Sequence, residues 1–254
     1  MPQALFRFYA ELNDFLPSSR QGTSFRHAFD GFPAVKDVIE SLGVPHTEVD
    51  LILADGESVD FGCPLRDGVH VSVYPVFESF DIATLSRVRP APLRELRFVL
   101  DGHLSRLARY LRMAGFDAEC PRNASDEELA LASVKRQRVL LTRDRGLLKR
   151  KQVTRGYWIR ELQAKAQLAE VVSRFDLGRA MVPFQRCLVC NHPLEPLSRE
   201  EAARRAPPRV IACQSAFRSC AACGRVYWPG SHHRHMQQIL SEVFGHSKGG
   251  GPHS

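Results

Sequence analysis

The stretch "FVLDGHLSRLARYLRMAGFDAE" (Phe98–Glu119) changes its hydrophobic period twice. Its apolar start is typical of a buried strand that ends at Asp101. Leucines and alanines then recur at every third or fourth position, as they do on the buried face of a helix, and Gly115 is placed to end that helix. The residues after Gly115 favour a second, short strand. The stretch therefore predicts a strand, a helix and a strand.

The same alternation continues towards the carboxyl end of the chain. The stretch "SDEELALASVKRQ" (Ser125–Gln137) predicts a helix, and "RVLLT" (Arg138–Thr142) predicts a buried strand. Another strand and another helix are predicted within "GYWIRELQAKAQLAEVVSRF" (Gly156–Phe175). Strands that alternate with helices favour an α/β fold with a parallel sheet. The chain contains neither G-x-G-x-x-G nor G-x-x-x-x-G-K, so dinucleotide-binding and P-loop sites are not indicated.

The first part of the chain, residues 1–81, has a different pattern. Two stretches that alternate apolar and polar residues, "ALFRFYAEL" and "TSFRHAFDG", predict strands. The stretch "FPAVKDVIESLGV" predicts a helix, because its apolar residues recur at helical spacing. Asp55-Gly56 predicts a hairpin between two further strands, and "GVHVSVYPVF" predicts the last strand.

This order of elements resembles the β-grasp, ubiquitin-like fold and is similar to the sulfur-carrier proteins of thiamine and molybdopterin synthesis. The resemblance implies an α+β unit. Those carriers act through a free Gly-Gly carboxyl terminus, whereas the last predicted strand here continues into "PVFESFDIATL". The difference argues against sulfur transfer and favours a docking or substrate-presenting module that contacts a protein partner.

Acidic and basic residues are unevenly distributed along the chain. Residues 1–80 hold five Lys and Arg against twelve Asp and Glu, whereas residues 81–254 hold thirty against sixteen. This asymmetry suggests two units with different partners, of which the basic one suits nucleic acid. A positive surface that only keeps the protein in solution is the alternative, and charge alone does not decide between them.

The overall composition, with 44% hydrophobic and 25% charged residues, is that of an ordinary globular protein. No apolar stretch approaches the roughly 18 residues that a membrane span needs, so no membrane partner is expected. The amino-terminal sequence has no signal-peptide pattern, and we therefore expect a cytoplasmic protein.

Three aspartates are candidates for one site. Asp101 ends the first strand of the α/β part, Asp144 follows the strand in "RVLLT", and Asp126 begins the helix between them. Ligands of open α/β sheets bind beyond the carboxyl ends of the strands, so we expect these acids at the same edge. Carboxylates suit a hard cation such as Mg²⁺ or Mn²⁺, which can activate water. Helix capping is the alternative interpretation of each acid.

Basic residues surround these acids in the sequence. We predict that they contact the phosphates of RNA, because guanidinium and ammonium groups bind such anions. A solvated helix face is the usual alternative for a stripe of arginines. The predicted RNA-binding residues are Arg106, Arg109, Arg112, Arg143, Arg145 and Lys149.

The cysteines form two C-x-x-C pairs, Cys187 with Cys190 and Cys220 with Cys223. Two such pairs predict a tetrahedral Zn²⁺ site, and a site closed by four cysteines is structural rather than catalytic. The intervening stretch is longer than usual, and we expect "SREEAARRAPP" to form a small helical insertion.

These motifs together resemble a known family. "FVLDGHLSRLARYLRMAGFDAE", "SDEELALAS", "RVLLTRDRGLLKR" and the cysteine pairs are similar to the PIN-like RNase domain found at the carboxyl end of the Mut-seven exonucleases. That domain often follows a ubiquitin-like domain. The resemblance implies a metal-dependent ribonuclease whose catalytic and metal-binding acids are Asp101, Asp126 and Asp144. PIN domains commonly use a fourth acid, for which Glu127 or Glu128 is available.

The predicted division of the chain follows from these patterns. We predict a ubiquitin-like domain at 1–81, a linker at 82–95, a PIN-like nuclease domain at 96–180, a zinc ribbon with a carboxyl-terminal helix at 181–245 and a flexible tail at 246–254. Two other functions stay open. One is a non-catalytic RNA-binding protein with a zinc ribbon, and the other is a sulfur carrier or ubiquitin-like adaptor.

Overall fold

The computed structural model describes residues 1–75, 86–88 and 95–246. The predicted linker therefore lies outside the described residues except for 86–88 and Glu95, and the predicted tail does so except for His246.

The chain divides into two compact units. The first consists of Met1–Arg94 and Asp126–Trp158, and the second consists of Glu95–Ser125 and Ile159–Ser254. Each unit thus combines two separate parts of the chain. The domain division predicted from the sequence is a different description and stays a prediction.

Strands and helices are numbered in chain order. The strands are β1 (Gln3–Phe8), β2 (Phe25–Ala28), β3 (Val49–Ala54), β4 (Glu57–Ser58), β5 (His70–Pro75), β6 (Arg97–Leu100), β7 (Asp117–Glu119), β8 (Val139–Thr142), β9 (Gly156–Trp158), β10 (Glu195–Leu197), β11 (Phe217–Ser219) and β12 (Val226–Tyr227). The α-helices are α1 (Val35–Ser41), α2 (Ser105–Met113), α3 (Asp126–Lys135), α4 (Arg145–Leu148), α5 (Ala164–Arg174), α6 (Arg199–Ala203), α7 (Pro208–Cys213) and α8 (Ser231–His246).

The first unit contains a β-grasp sheet with the strand order β2-β1-β5-β3-β4. Strand β1 pairs in antiparallel with β2 and in parallel with β5, while β3 pairs in antiparallel with β5. Helix α1 buries Val35, Val38 and Ile39 in a core that also contains Phe6 and Phe8. The element order predicted for this part of the chain is confirmed.

The hairpin predicted at Asp55-Gly56 is also confirmed. Strands β3 and β4 pair in antiparallel, with Ala54 opposite Glu57. Asp55 has a φ of 49° and Gly56 a φ of 88°. Both positive values are those of a tight hairpin turn that matches the twist of its strands.

Parallel strand pairs occur in both units. In the second unit β6 pairs in parallel with β7, and helix α2 connects the two strands. In the first unit β8 pairs in parallel with β9. Strands joined through helices in this way confirm the α/β pattern predicted from the sequence.

Helix α2 is amphipathic and buries Leu107, Ala108 and Leu111, as its spacing predicts. Gly115 follows the helix with a φ of +101°, and a Cβ atom there would lie 2.1 Å from the carbonyl oxygen of Val182. Glycine is therefore required at this position both by conformation and by space. Helix α2 packs against α5, which in turn packs against α8.

The cysteine-containing segment forms an antiparallel sheet with the order β10-β11-β12. The expected helical insertion is present as α6 and α7, between β10 and β11. Ser198 caps α6 by accepting a hydrogen bond from the backbone N–H of Glu201 at 3.2 Å. Within the described residues, none of the helices has both the length and the apolar composition needed to cross a bilayer.

Candidate active site and metal centre

The two C-x-x-C pairs form a cluster of four sulfur atoms that all lie within 4.8 Å of one another. The Sγ atoms of Cys187 and Cys223 are 3.6 Å apart, and those of Cys190 and Cys220 are 3.3 Å apart. Zn²⁺ binds cysteine sulfur at about 2.3 Å in a tetrahedron, so its sulfur ligands lie about 3.8 Å apart. The cluster therefore has the dimensions of a four-cysteine zinc site.

The electrostatics of the cluster favour a cation. Burial opposes ionisation of Cys187, but hydrogen bonds from the Tyr227 hydroxyl and from backbone amides lower the pKa of this thiol to about 6. Burial and neighbouring thiols raise the pKa of Cys190 to about 12. Ionising all four sulfur atoms in so small a space is therefore unfavourable unless a divalent ion neutralises them.

Tyr227 supports the cluster from outside. Its hydroxyl donates to the Sγ atom of Cys187 at 3.1 Å and accepts from the backbone N–H of Leu188 at 3.2 Å. Burial and the neighbouring Cys187 raise the pKa of Tyr227, so the phenol keeps the proton that it donates. Hydrogen bonds of this kind fix the orientation of a metal ligand.

Arg112 connects the cysteine cluster to helix α2. Its Nε donates to the carbonyl oxygen of Ala118 at 2.8 Å, and its Nη1 donates to the carbonyl oxygens of Leu188 and Val189 at 3.1 and 2.9 Å. These two carbonyls lie between Cys187 and Cys190. The side chain is buried, which lowers the pKa of the guanidinium. The structure thus gives Arg112 a structural role, unlike the RNA contact predicted for it.

Residues next to the cysteine cluster also contact strand β7. The side-chain oxygen of Asn191 accepts from the backbone N–H of Ala118 at 3.1 Å, and its side-chain nitrogen donates to Asp117 at 2.7 Å. Arg186 lies 3.5 Å from the other carboxylate oxygen of Asp117. The ribbon and the β6–β7 pair are therefore held together by several polar contacts within the second unit.

Asp101 lies directly after β6, as predicted. Its Oδ1 accepts a hydrogen bond from the backbone N–H of His103 at 3.0 Å and caps the short 3₁₀ turn Gly102–Leu104. The carboxylate is therefore oriented by the backbone at the start of the segment that leads into α2.

Asp144 lies just past β8 and caps helix α4. Its Oδ1 accepts from the backbone N–H groups of Gly146 and Leu147 at 2.7 and 3.4 Å. Its own N–H donates to the hydroxyl of Thr142 at 3.0 Å. Asp144 thus caps α4, as the alternative interpretation of this residue expects, and it does so through its Oδ1 atom.

Asp126 is the first residue of α3, and its carboxylate lies 3.5 Å from Nη2 of Arg150. Glu127 and Glu128 follow in the same first turn and are exposed. Asp126 and Asp144 belong to the first unit, whereas Asp101 belongs to the second. The predicted convergence of the three aspartates stays a prediction.

The predicted RNA-binding residues fall into two groups. Arg106, Arg109 and Arg143 are exposed. Lys149, in contrast, donates to the carbonyl oxygen of Glu40 at 2.7 Å, and the guanidinium of Arg145 contacts the rings of two aromatic residues. The side chains of Lys149 and Arg145 therefore engage other parts of the first unit, which the sequence did not indicate.

These features define a class of protein in which a β-grasp unit and parallel α/β strands are combined with a cysteine ribbon. The family model described as the Mut7-C RNAse domain matches residues 96–240, and the model described as Mut7-C ubiquitin matches residues 1–81. The first match covers more than half of the chain, so the protein belongs to the Mut7-C RNAse domain family. The family resemblance and the fold class predicted from the sequence are confirmed.

Among solved structures, two crystal structures of the small archaeal modifier protein 1 from Haloferax volcanii are similar to part of this chain. Each is 16% identical with a TM-score of 0.25, and they cover 30% and 31% of this chain and 100% and 99% of their own. The comparison with curated proteins found no match.

Proposed function

We propose that this protein is a metal-dependent ribonuclease that hydrolyses phosphodiester bonds in RNA. The observation that carries the proposal is the match of the RNAse domain family to residues 96–240, which include all three candidate aspartates. In this proposal Asp101, Asp126 and Asp144 hold Mg²⁺ or Mn²⁺.

The chemistry of the three side chains fits such a cation. Carboxylate oxygens are the ligands that hard divalent ions prefer. The backbone N–H groups at the amino ends of the 3₁₀ turn and of α4 orient Asp101 and Asp144 through their Oδ1 atoms. A bound Mg²⁺ or Mn²⁺ would activate water and stabilise the charge that develops on the phosphate.

RNA binding is assigned in this proposal to the exposed arginines. Arg106 and Arg109 lie on α2, which begins four residues after Asp101, and Arg143 is adjacent to Asp144. Guanidinium groups next to the candidate acids suit the phosphates on either side of a scissile bond. The four cysteines would bind Zn²⁺ in a structural role, because no ligand position would remain for chemistry.

The test compares Asp101→Asn and Asp144→Asn with the wild type on labelled single-stranded and structured RNAs, with Mn²⁺ and with EDTA. Asparagine caps a helix as well as aspartate does, so these variants keep the cap and lose the charge that binds the cation. We expect cleavage by the wild type that EDTA abolishes, and a loss of about 10³-fold or more in each variant.

Asp30→Asn is the matched control, because Asp30 is exposed and lies in the N-terminal sheet region. It should cleave like the wild type. Undiminished cleavage by Asp101→Asn and Asp144→Asn would contradict the assignment of the acids. Salt-sensitive RNA binding with no hydrolysis by the wild type would instead indicate a non-catalytic RNA-binding protein.

A further inference from the structure

The residue that follows Asp144 is held by the N-terminal β-grasp part of the first unit. The guanidinium carbon of Arg145 lies 4.9 Å from the ring centroid of Phe15 and 4.0 Å from that of Trp158. Its Nη2 donates to the carbonyl oxygen of Asp14 at 3.3 Å. The two aromatic rings are 5.0 Å apart, so the guanidinium contacts an aromatic pair built from both parts of the unit.

The residue that precedes Asp144 is held as well. The indole Nε1 of Trp158 donates to the carbonyl oxygen of Arg143 at 3.1 Å. The backbone N–H of Trp158 in turn donates to Oε1 of Glu48 at 2.5 Å. Trp158 is thus fixed by the N-terminal part and fixes the backbone on the other side of Asp144.

Arg145 and Trp158 are half-buried, and each of them contacts a buried residue of the same unit. Glu48 is 0% exposed and Phe15 is 5% exposed. His46 is also buried, and its Nε2 lies 2.7 Å from the carbonyl oxygen of Val153. Burying a carboxylate costs several kcal/mol unless it is hydrogen-bonded, so such groups are typical of a permanent interface rather than of a transient docking surface.

Helix α4 depends on this support. It contains four residues, Arg145–Leu148, and a helix of one turn is not stable by itself in water. Asp144 owes its orientation to the first N–H groups of this helix. Any loosening of the contacts at Arg145 and Lys149 would therefore be transmitted to the Asp144 carboxylate.

We propose that the N-terminal domain is a positioning part of the nuclease site and that Arg145 is a positioning residue for Asp144. The inference rests on the proposed function, since it assigns Asp144 to the catalytic cation. In this proposal the side chain of Arg145 stacks on Phe15 and Trp158 instead of contacting a phosphate of RNA. The ubiquitin-like domain then contributes to the reaction through this contact, in addition to any partner that it binds.

The test separates stacking from phosphate binding with paired substitutions. Arg145→Lys keeps the positive charge but loses the planar group that stacks on the rings. Phe15→Leu keeps the apolar bulk of a buried position but removes the aromatic face, and Phe15→Tyr restores that face. Arg26→Lys and Phe32→Leu are the matched controls, because both side chains are exposed in the same domain.

We expect Arg145→Lys and Phe15→Leu to lower kcat by roughly tenfold to 10²-fold, as a misplacement of about 1 Å does. The affinity for RNA measured in EDTA should stay unchanged, Phe15→Tyr should recover activity, and the controls should cleave like the wild type. Hydrogen–deuterium exchange should become faster in 143–148. An unchanged kcat in Arg145→Lys, or a loss confined to RNA affinity, would overturn the proposal.

Exchange also separates this inference from the proposed function. If the wild type does not cleave RNA, the proposed function fails, and faster exchange in 143–148 of Arg145→Lys and Phe15→Leu still supports the positioning of Asp144. Exchange that equals that of the controls would overturn the positioning as well.

Discussion

Arg112 shows how much a single buried side chain contributes to this protein. Three carbonyl oxygens, of Ala118, Leu188 and Val189, accept hydrogen bonds from its guanidinium. Each buried acceptor that loses its donor costs about 1–3 kcal/mol, and hydrogen bonds to charged groups lie at the upper end of that range. The contribution of Arg112 to stability thus comes from hydrogen bonds to residues that lie 6 and 76 or more positions away in the chain.

Replacement of Arg112 by methionine tests this role. We expect Arg112→Met to lower the free energy of unfolding by about 3 kcal/mol, because the three carbonyls lose their donor while the bulk of the side chain is kept. Urea denaturation followed by circular dichroism provides the measurement. Arg109→Met, on the exposed face of the same helix, should change the free energy of unfolding by about 0.5 kcal/mol or less. Equal effects of the two substitutions would show that Arg112 has no special structural role.

Arg112 also illustrates what local sequence patterns cannot indicate. Arg106, Arg109 and Arg112 recur every third residue, so the sequence pattern alone does not distinguish one from another. Only the fold distinguishes them, because two of the three carbonyls that Arg112 binds, those of Leu188 and Val189, lie between Cys187 and Cys190, far from the helix in sequence. Asp101 and Asp144, in contrast, were placed after their strands correctly, since an apolar run followed by a polar residue identifies the end of a buried strand.

The elements themselves followed from local rules. Helix α2 and the hairpin at Asp55-Gly56 were predictable because their periodicity and turn residues act over a few positions. The cysteine ribbon was predictable because two C-x-x-C pairs in one chain are typical of a structural zinc site. The placement of α4 and β9 against the N-terminal domain was not predictable, since it depends on contacts such as Phe15 with Trp158 that join distant segments.

The cysteine ribbon, residues 181–230, is the element for which we expect the strongest dependence of stability on a bound metal ion. Its buried apolar core is small and consists of Cys187, Leu194 and Cys220, with Cys190 and Tyr227 packed against it. Such a core is too small to hold the strands β10, β11 and β12 by itself, so bound Zn²⁺ would supply folding free energy directly.

Substitution of one cysteine of the cluster tests this dependence. We expect Cys220→Ser to bind less than one equivalent of Zn²⁺ and to lose about 3 kcal/mol or more of stability, because a structural zinc site contributes folding free energy. Zinc content by atomic absorption and thermal unfolding provide the measurements. Cys213→Ser is the control, since Cys213 is exposed and outside the cluster, and it should keep both the zinc and the Tm. If wild-type protein purified without zinc is as stable as the zinc-loaded protein, the structural role of zinc is contradicted.

The first unit joins the N-terminal domain to residues Asp126–Trp158 of the RNAse domain. The polypeptide leaves this unit after Arg94, returns to it at Asp126 and leaves it again after Trp158. Contacts from His46 and Glu48 to Val153 and Trp158 are buried and hydrogen-bonded. We therefore expect the unit to open as one cooperative body, as units with a shared buried interface do.

A substitution in the N-terminal core tests this cooperativity. Ile39 is 0% exposed in the β-grasp core, and Ile39→Ala should destabilise by roughly 2–5 kcal/mol. Native-state hydrogen exchange should then become faster in β8 and β9 to the same extent as in β1 and β5, because all four strands belong to one unit. Leu240→Ala on α8, a buried residue of the second unit, should leave these four strands less affected than Ile39→Ala does. If Ile39→Ala accelerates exchange in β1 and β5 while β8 and β9 keep their protection, the N-terminal domain is an independent module, and its contacts with α4 and β9 are too weak to hold Asp144 in place.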